Sequence, residues 1–402
     1  MLVFASDLHL TDTAKRSSFS AAAFERALEE VLRSAVDDGI DDIRLVLLGD
    51  IFEILKSTEW LTANVRPWEK CTEAHRRTVT RIVGSIFDQN ADFFASLQKL
   101  RAAYPPLKVT YLPGNHDGPL NTEMGNGCRA RLRTLLGGPG QDDRFFDPLI
   151  EDEEHGVLAR HGHHWDPANR YLYGTTAIGD FIVIDVLTRL PFALAGHLGT
   201  DADDPELEFA HELDDVIPQT PNMMARWLAS GIDDLTRLRG ARSMRNALAE
   251  VAEELEARMR GWRFESTLGS WWVKALKRAV PHLVGRVDML ALMRWLTSAK
   301  APPPPQLAEE AKEEFRRSKL KAGYVIFGHT HVPEYRTIAT DSIYRYLNCG
   351  TWRRVHRPAD AWTRKTRPFV SSNLGALAII RSAEEAASRN RPRHELRYSF
   401  YA

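Results

Sequence analysis

Five short clusters in the 402-residue chain carry side chains that can ligate a cation or move a proton: Asp7-Leu8-His9, Gly49-Asp50, Gly114-Asn115-His116-Asp117, His161-Gly162-His163-His164 and Gly328-His329-Thr330-His331. Their carboxylate oxygens, amide oxygen and imidazole nitrogens form a mixed donor set without thiolate. Such a set suits Mn, Fe, Zn or Co better than a structural zinc site. Asp7, His9, Asp50, Asn115, His161, His329 and His331 are enough ligands for two divalent ions, and the single carboxylate of Asp50 is suited to bridge them. A water held between the two ions would be acidified toward neutrality, giving hydroxide without a protein base. A lone Gly-Asn pair is ordinarily only a turn. Four other clusters of matching chemistry argue for more than a turn here.

The elements that must position these residues follow from the preceding apolar runs. Residues 2–5, 44–48, 109–111, 156–160 and 323–327 each have strand character and each run into one of the clusters. Between the first two runs, Phe24, Leu28, Val31, Leu32 and Ala35 recur at helical spacing across 20–36, and a second helical region is expected over 69–100. Largely apolar runs in a strand, helix, strand order predict buried parallel strands. In open α/β sheets the ligand site lies beyond the carboxyl ends of the strands, so the five loops are expected to converge there. Downstream, a hairpin over 334–338 and 342–347, a turn at 348–352 and strands near 376–381 and 395–400 would complete the sheet.

Between 167 and 321 the texture changes to long helical patterns, over 223–262 and 270–299, with Pro281 expected to break or kink the second. Pro302 to Pro305 read as a stiff spacer before a charged helix over 306–321. The expected organisation is a core of 1–166 and 322–402 carrying a helical insertion, or cap, of 167–321. Within 270–300, Lys274, Lys277, Arg278, Arg286, Arg294 and Lys300 are interleaved with Trp271, Trp272, Leu276, Leu290, Leu292 and Trp295. Such a helix either packs its apolar face on its neighbours or meets a membrane surface or an amphiphilic anionic substrate.

Composition narrows the remaining classes. Lys plus Arg number 53 against 54 Asp plus Glu, so no global basic excess points to a stable nucleic-acid partner. Cys71, Cys128 and Cys349 are widely spaced and lack CxxC pairing, which argues against a disulfide framework. The N-terminal residues read as a strand rather than a signal peptide, since Asp7 follows almost at once. The apolar window 178–195 contains Asp180, Asp185 and Arg189 and falls short of an uninterrupted membrane span. A cytoplasmic location is the default expectation.

The five clusters, in this chain order, resemble the signature blocks of calcineurin-like metallophosphoesterases. The resemblance covers roughly residues 1–166 and 322–352. It implies an α/β (α+β) fold: a β-sandwich of two mixed sheets flanked by helices, with the site at one end. It implies that Asp7, His9 and His331 hold one metal, that Asn115, His161 and His329 hold the other, and that Asp50 bridges. The cofactors would be two divalent ions, Mn first, with Fe, Zn, Co or Ni as alternatives. His163 is the alternative to His161 in its block. His116 resembles the family histidine that donates a proton to the leaving oxygen. Glu53 sits where relatives carry an acidic group orienting that histidine, and Asp117 is its rival. The wording Ser6-Asp7-Leu8-His9-Leu10 and Gly49-Asp50-Ile51-Phe52-Glu53 is most similar to UDP-2,3-diacylglucosamine pyrophosphohydrolases, bacterial enzymes that place a helical lid over acyl chains. Those enzymes commonly carry Arg where this chain has His116, and their insertion is shorter. The expected activity is hydrolysis of a phosphomonoester, phosphodiester or pyrophosphate bond, with an amphiphilic or lipid-linked substrate among the options. A nuclease and a catalytically inactive protein of the same fold are the alternatives.

Overall fold

A computed structural model describes residues 1–13, 18–137, 147–170, 177–199, 205–217, 223, 227, 241–259, 306–318, 323–339, 343–359 and 369–401. The described residues form two mixed sheets of six and five strands. The strands are β1 (Leu2–Ala5), β2 (Ile43–Leu48), β3 (Leu107–Leu112), β4 (Ile150–Asp152), β5 (Val157–Ala159) and β6 (Gly323–Phe327). They continue with β7 (Pro333–Ala339), β8 (Ile343–Cys349), β9 (Arg354–Pro358), β10 (Phe369–Ile380) and β11 (His394–Phe400). The first sheet runs β11-β10-β1-β2-β3, with β9 also paired to β10, and the second runs β4-β5-β6-β8-β7.

Parallel pairing sets where the loops emerge. β1, β2 and β3 are parallel neighbours, Leu2 lying opposite Arg44 and Ile43 opposite Leu107. β5, β6 and β8 are likewise parallel, Ala159 opposite Ile326 and Phe327 opposite Asn348. Such strands are covered on both faces, which is why both sides of their alternation are apolar. Leu2, Phe4, Val46, Leu48 and Leu112 pack against Val157, Ala159, Tyr324, Ile326 and Leu347 between the two sheets. Val3, Ala5, Leu45, Leu47 and Val109 face the other way, into a cluster with Phe24, Leu28, Ile82, Phe93 and Leu97 from helices. The outer face of the second sheet buries Val325, Phe327 and Tyr346 against Leu307, Ala311 and Phe315 of the helix Leu307–Arg317. Each fully buried side chain of this kind stabilises by about 1.5–3 kcal/mol, so these two faces and the space between them anchor the strand ends.

The helix Ala21–Asp37 has the buried face read from the sequence, and the Ser20 side chain accepts from the amide of Ala23 to cap it. The helical region expected over 69–100 is present and divides into two helices, Glu73–Gln89 and Ala91–Ala103. Asn90 separates them: its side-chain amide donates to Ile86 O at 2.7 Å and to Thr11 O at 2.9 Å, ending the first helix and fastening it to the loop after β1. β4 and β9 do not show in the sequence pattern, and β10 begins earlier than expected.

In the 167–321 segment, a continuous helical stretch covers Ile178–Ile182, Val183–Thr188 and Arg189–Leu198. Its middle piece is a π-helical turn. Pro191 lacks the amide that would bond Leu187, and the Thr188 hydroxyl donates to Val183 O at 2.8 Å, which accounts for the irregularity. The stretch 179–198 is long and apolar enough to cross a membrane by composition, but more than half of it is buried inside the protein. Phe181, Ile184, Leu187, Leu190 and Leu194 belong to the same cluster as Phe24 and Ile82. Within it, Asp185 is fully buried on the guanidinium of Arg66, at 2.7 Å, with Arg189 at 2.9 Å. The basic helix expected over 270–300, its Pro281 break and the spacer at Pro302 to Pro305 lie outside the described residues.

Candidate metal centre

The loops leaving β1, β2, β3, β5 and β6 meet at one end of the sandwich. Backbone bonds lace the first two together, Asp7 N to Gly49 O at 3.1 Å and His9 N to Asp50 O at 3.0 Å. Among the described residues, seven non-glycine positions have positive φ, and five of them are Asp7 (55°), His9 (49°), Asp50 (52°), His329 (71°) and His331 (58°). The other two are asparagines, Asn64 and Asn390, the type that tolerates this region most readily. Left-handed backbone costs an ordinary residue roughly 1–2 kcal/mol, so its concentration here is imposed by the surrounding framework. Two glycines let the strands close in. A Cβ on Gly49, itself at φ 82°, would lie 2.5 Å from His161 Nδ1, and one on Gly114 would collide with the Asp50 carboxylate.

The side chains fall into two neighbouring groups. Asp7 Oδ1 lies 3.2 Å from His331 Nε2 and 3.7 Å from His9 Nε2, and the two imidazole nitrogens are 3.0 Å apart. Asp50 Oδ2 lies 3.0 Å from His161 Nε2, and His329 completes a trio whose ligand atoms fall within 4.8 Å of one another. Asn115 is buried beside them, and the next amide, of His116, donates to Asp50 Oδ1 at 2.8 Å. His329 Nε2 contacts Asp166 Oδ2 at 2.9 Å, and the His329 amide donates to Asp7 Oδ2 at 3.0 Å, linking the groups. His163 is adjacent, its ring 5.5 Å from that of His161 and 6.4 Å from that of His329, and the trio with Asp50 is formed by His161.

Partner chemistry assigns the ring protons. Leu48 O, which can only accept, lies 2.9 Å from His161 Nδ1, so that nitrogen carries the proton and Nε2 faces Asp50. Glu53 Oε2, 2.7 Å from His9 Nδ1, does the same for His9 and leaves its Nε2 facing His331. Asp7 Oδ1 and His161 Nε2 are buried and face His331 Nε2 and Asp50 Oδ2 respectively. Buried carboxylate oxygens and imidazole nitrogens turned toward one another fit divalent cations, and the outer contacts to Leu48 O, Glu53 and Asp166 fix the rings from behind, as metal-binding histidines require.

The electrostatics are those of a concentrated acidic site. Burial would raise the Asp7 carboxyl, but His161, His331 and His9 hold it far below the usual range. Burial likewise opposes ionisation of Asp50 and Glu53, and the imidazoles around them outweigh it. His161 loses to burial but is pushed up to about 9 by Asp50 and Asp7, whereas burial takes His331 down to about 4.

Glu53 is the joint of the site. Its Oε1 lies 2.6 Å from His116 Nδ1 and its Oε2 holds His9, so one carboxylate orients both rings. Asp117, the rival for that role, is turned to backbone instead, accepting from Gly114 N at 2.5 Å and Ile51 N at 3.0 Å. It braces the loops after β2 and β3. Burial and the nearby Asp50 push its carboxyl up to about 6.

Three supporting residues escaped the sequence reading. Asp166 holds His329; Asn348 donates to Gly328 O at 2.6 Å and accepts from Gly350 N at 2.9 Å; the Thr351 hydroxyl donates to Asp7 O at 2.7 Å. Asp166 stands close behind the histidines at 161–164, which is the one signal that could have marked it. No protein-family model matches the chain, and no curated protein sequence matches it.

Proposed function

We propose that the protein is a calcineurin-like metallophosphoesterase that binds two divalent ions and hydrolyses a phosphomonoester, phosphodiester or pyrophosphate bond. The observation that carries this reading is the clustering of candidate ligands at the strand ends: Asp7, His9 and His331 in one group and Asp50, His161 and His329 in another, with His9 also grouped with Glu53 and His116. The sandwich of two mixed sheets with helices outside is the architecture such an enzyme would use. Asn115 would complete the second group and Asp50 would bridge. When bound, the two ions would supply Lewis acidity toward the phosphate and lower the pKa of the attacking water.

The chain's own contribution centres on His116. Glu53 accepts from its Nδ1–H and leaves Nε2 as the atom that can hand a proton to a leaving oxygen. Burial disfavours its charge, yet Glu53 and Asp50 push its pKa up to about 10. Asp50 meanwhile receives the His116 amide, so the loop carrying the acid is registered against the bridging carboxylate.

The test is hydrolysis of p-nitrophenyl phosphate and bis-p-nitrophenyl phosphate by metal-stripped protein, with Mn, Fe, Zn, Co, Ni and Mg restored one at a time. Turnover should return with a transition metal and be absent in Asp50→Asn. Two ions bound per chain with no turnover on either ester would overturn the reading.

A further inference from the structure

Beside the metal-ligand groups lie two buried cations that the chemistry above does not use. Lys56 is three residues beyond Glu53, and its amide donates to Glu53 Oε1 at 3.2 Å. Arg353 follows the Thr351-Trp352 pair, both of which bond Asp7 O, and its own amide donates to Thr351 Oγ1 at 3.2 Å. Both come from the strand-bearing part of the chain. Their charged ends meet on residues of the 167–321 segment: Lys56 Nζ lies 2.7 Å from Asp214 Oδ2, and one Arg353 nitrogen contacts that same oxygen and Asp215 Oδ1. Lys56, Arg353 and Asp214 are each at least 95% buried. The field of Arg353 reaches Glu53, His9 and His331, and that of Asp214 reaches His116, so this cluster borders the candidate site.

We propose that Lys56 and Arg353 form an anion subsite for a second phosphoryl group of the substrate, and that Asp214 and Asp215 fill it in this structure. The inference rests on the phosphoesterase reading and narrows it to substrates with two neighbouring phosphoryl groups, such as a diphosphate. One carboxylate oxygen shared by an ammonium and a guanidinium is the arrangement a phosphate oxygen takes, with charge-assisted bonds from both. Apolar residues of similar volume could hold the segment as well as this cluster, because desolvation offsets much of the attraction in a buried ion pair, so stability alone does not call for charges here. The carboxylates sit on a short turn flanked by Leu213 and Val216, both buried in the core. The three-residue turn Leu213–Asp215 is followed by Val216, paired with His356, and by Ile217, whose amide donates to His356 O at 3.0 Å. Displacing the carboxylates requires this short docked segment to lift.

The test is binding of inorganic pyrophosphate to the full-length protein in the presence of a chelator, measured by calorimetry. Asp214→Asn with Asp215→Asn removes the internal competitor and should tighten binding by about tenfold, the size of one charge-assisted contact. Adding Lys56→Gln or Arg353→Gln should cancel that gain. Unchanged affinity in the double variant, or a gain that survives loss of either cation, overturns the proposal. Should the double variant fail to fold, hydrogen exchange on the unaltered protein decides: pyrophosphate should speed exchange of the Ile217 amide, and unchanged exchange at saturation overturns the proposal. Because no metal and no turnover enter these measurements, an inactive protein that still binds pyrophosphate in this way would sink only the enzymatic reading.

Discussion

At the residue scale, the division of labour around Glu53 leads to a separable prediction. His116 shares Glu53 with His9 but lies outside the two ligand groups, so His116→Ala should retain both metals by elemental analysis. It should lose about 10²–10⁴-fold in kcat on alkyl phosphates, whose leaving groups need a proton, and much less on p-nitrophenyl esters. Equal losses on both would contradict the acid role. The metal-type residues are legible in the sequence because Asp, Asn and His recur after apolar runs, a pattern that chemistry alone makes unusual. The double contact of Glu53 is not legible. Nothing in the spacing of 9, 53 and 116 says that one carboxylate lies between two rings, and the backbone-facing turn of Asp117 depends on how Gly114 and Ile51 approach it.

At the element scale, the helix Leu307–Arg317 is held to the second sheet by an acid as well as by its apolar face. Glu314 accepts from Arg160 and Trp165 and contacts His164 Nε2, at 2.7–2.8 Å. Burial would raise its carboxyl, but His164 and Arg160 bring it from 4.5 down to about 2. The folded state therefore binds fewer protons at this group than the unfolded chain. The stability it contributes is complete above about pH 4.5 and is lost as pH falls toward 2. Glu314→Gln should flatten the denaturation midpoint across that window and leave its neutral-pH slope unchanged; a wild-type slope in the variant would refute the assignment. Strands such as β2 and β6 are legible because burial on both faces makes them continuously apolar. β9, Arg-Val-His-Arg-Pro, is not, since it pairs through backbone with β10 while carrying mostly polar side chains. The break at Asn90 is hidden for a related reason: helical periodicity on either side is intact, and only the contact to Thr11 reveals why the helix ends.

At the scale of the whole molecule, the segment read as an insertion is fastened to the rest by buried charge. Arg66 and Asp185 are both fully buried, with Arg189 as a second partner. Arg66→Ala should cost about 3 kcal/mol in chemical denaturation, because it strands a buried carboxylate that Arg189 only partly compensates. Arg66→Met combined with Asp185→Leu should recover most of that loss, and failure to do so would point to packing rather than charge. The composition of 167–321 announces helices, but not that Phe181 and Leu194 would join the hydrophobic cluster of the first sheet. That contact is set by tertiary docking, which periodicity does not encode.

The five left-handed backbone positions have a further implication for how the centre is assembled. Their unfavourable torsions are met by strand pairing, glycine clearance and loop lacing, all of them contacts of the chain with itself. The entropy of gathering distant side chains is thus largely met by folding of the two sheets. On the proposed reading, the ligands are therefore placed by the same pairing and lacing that build the two sheets, and an ion would add little further ordering of the chain.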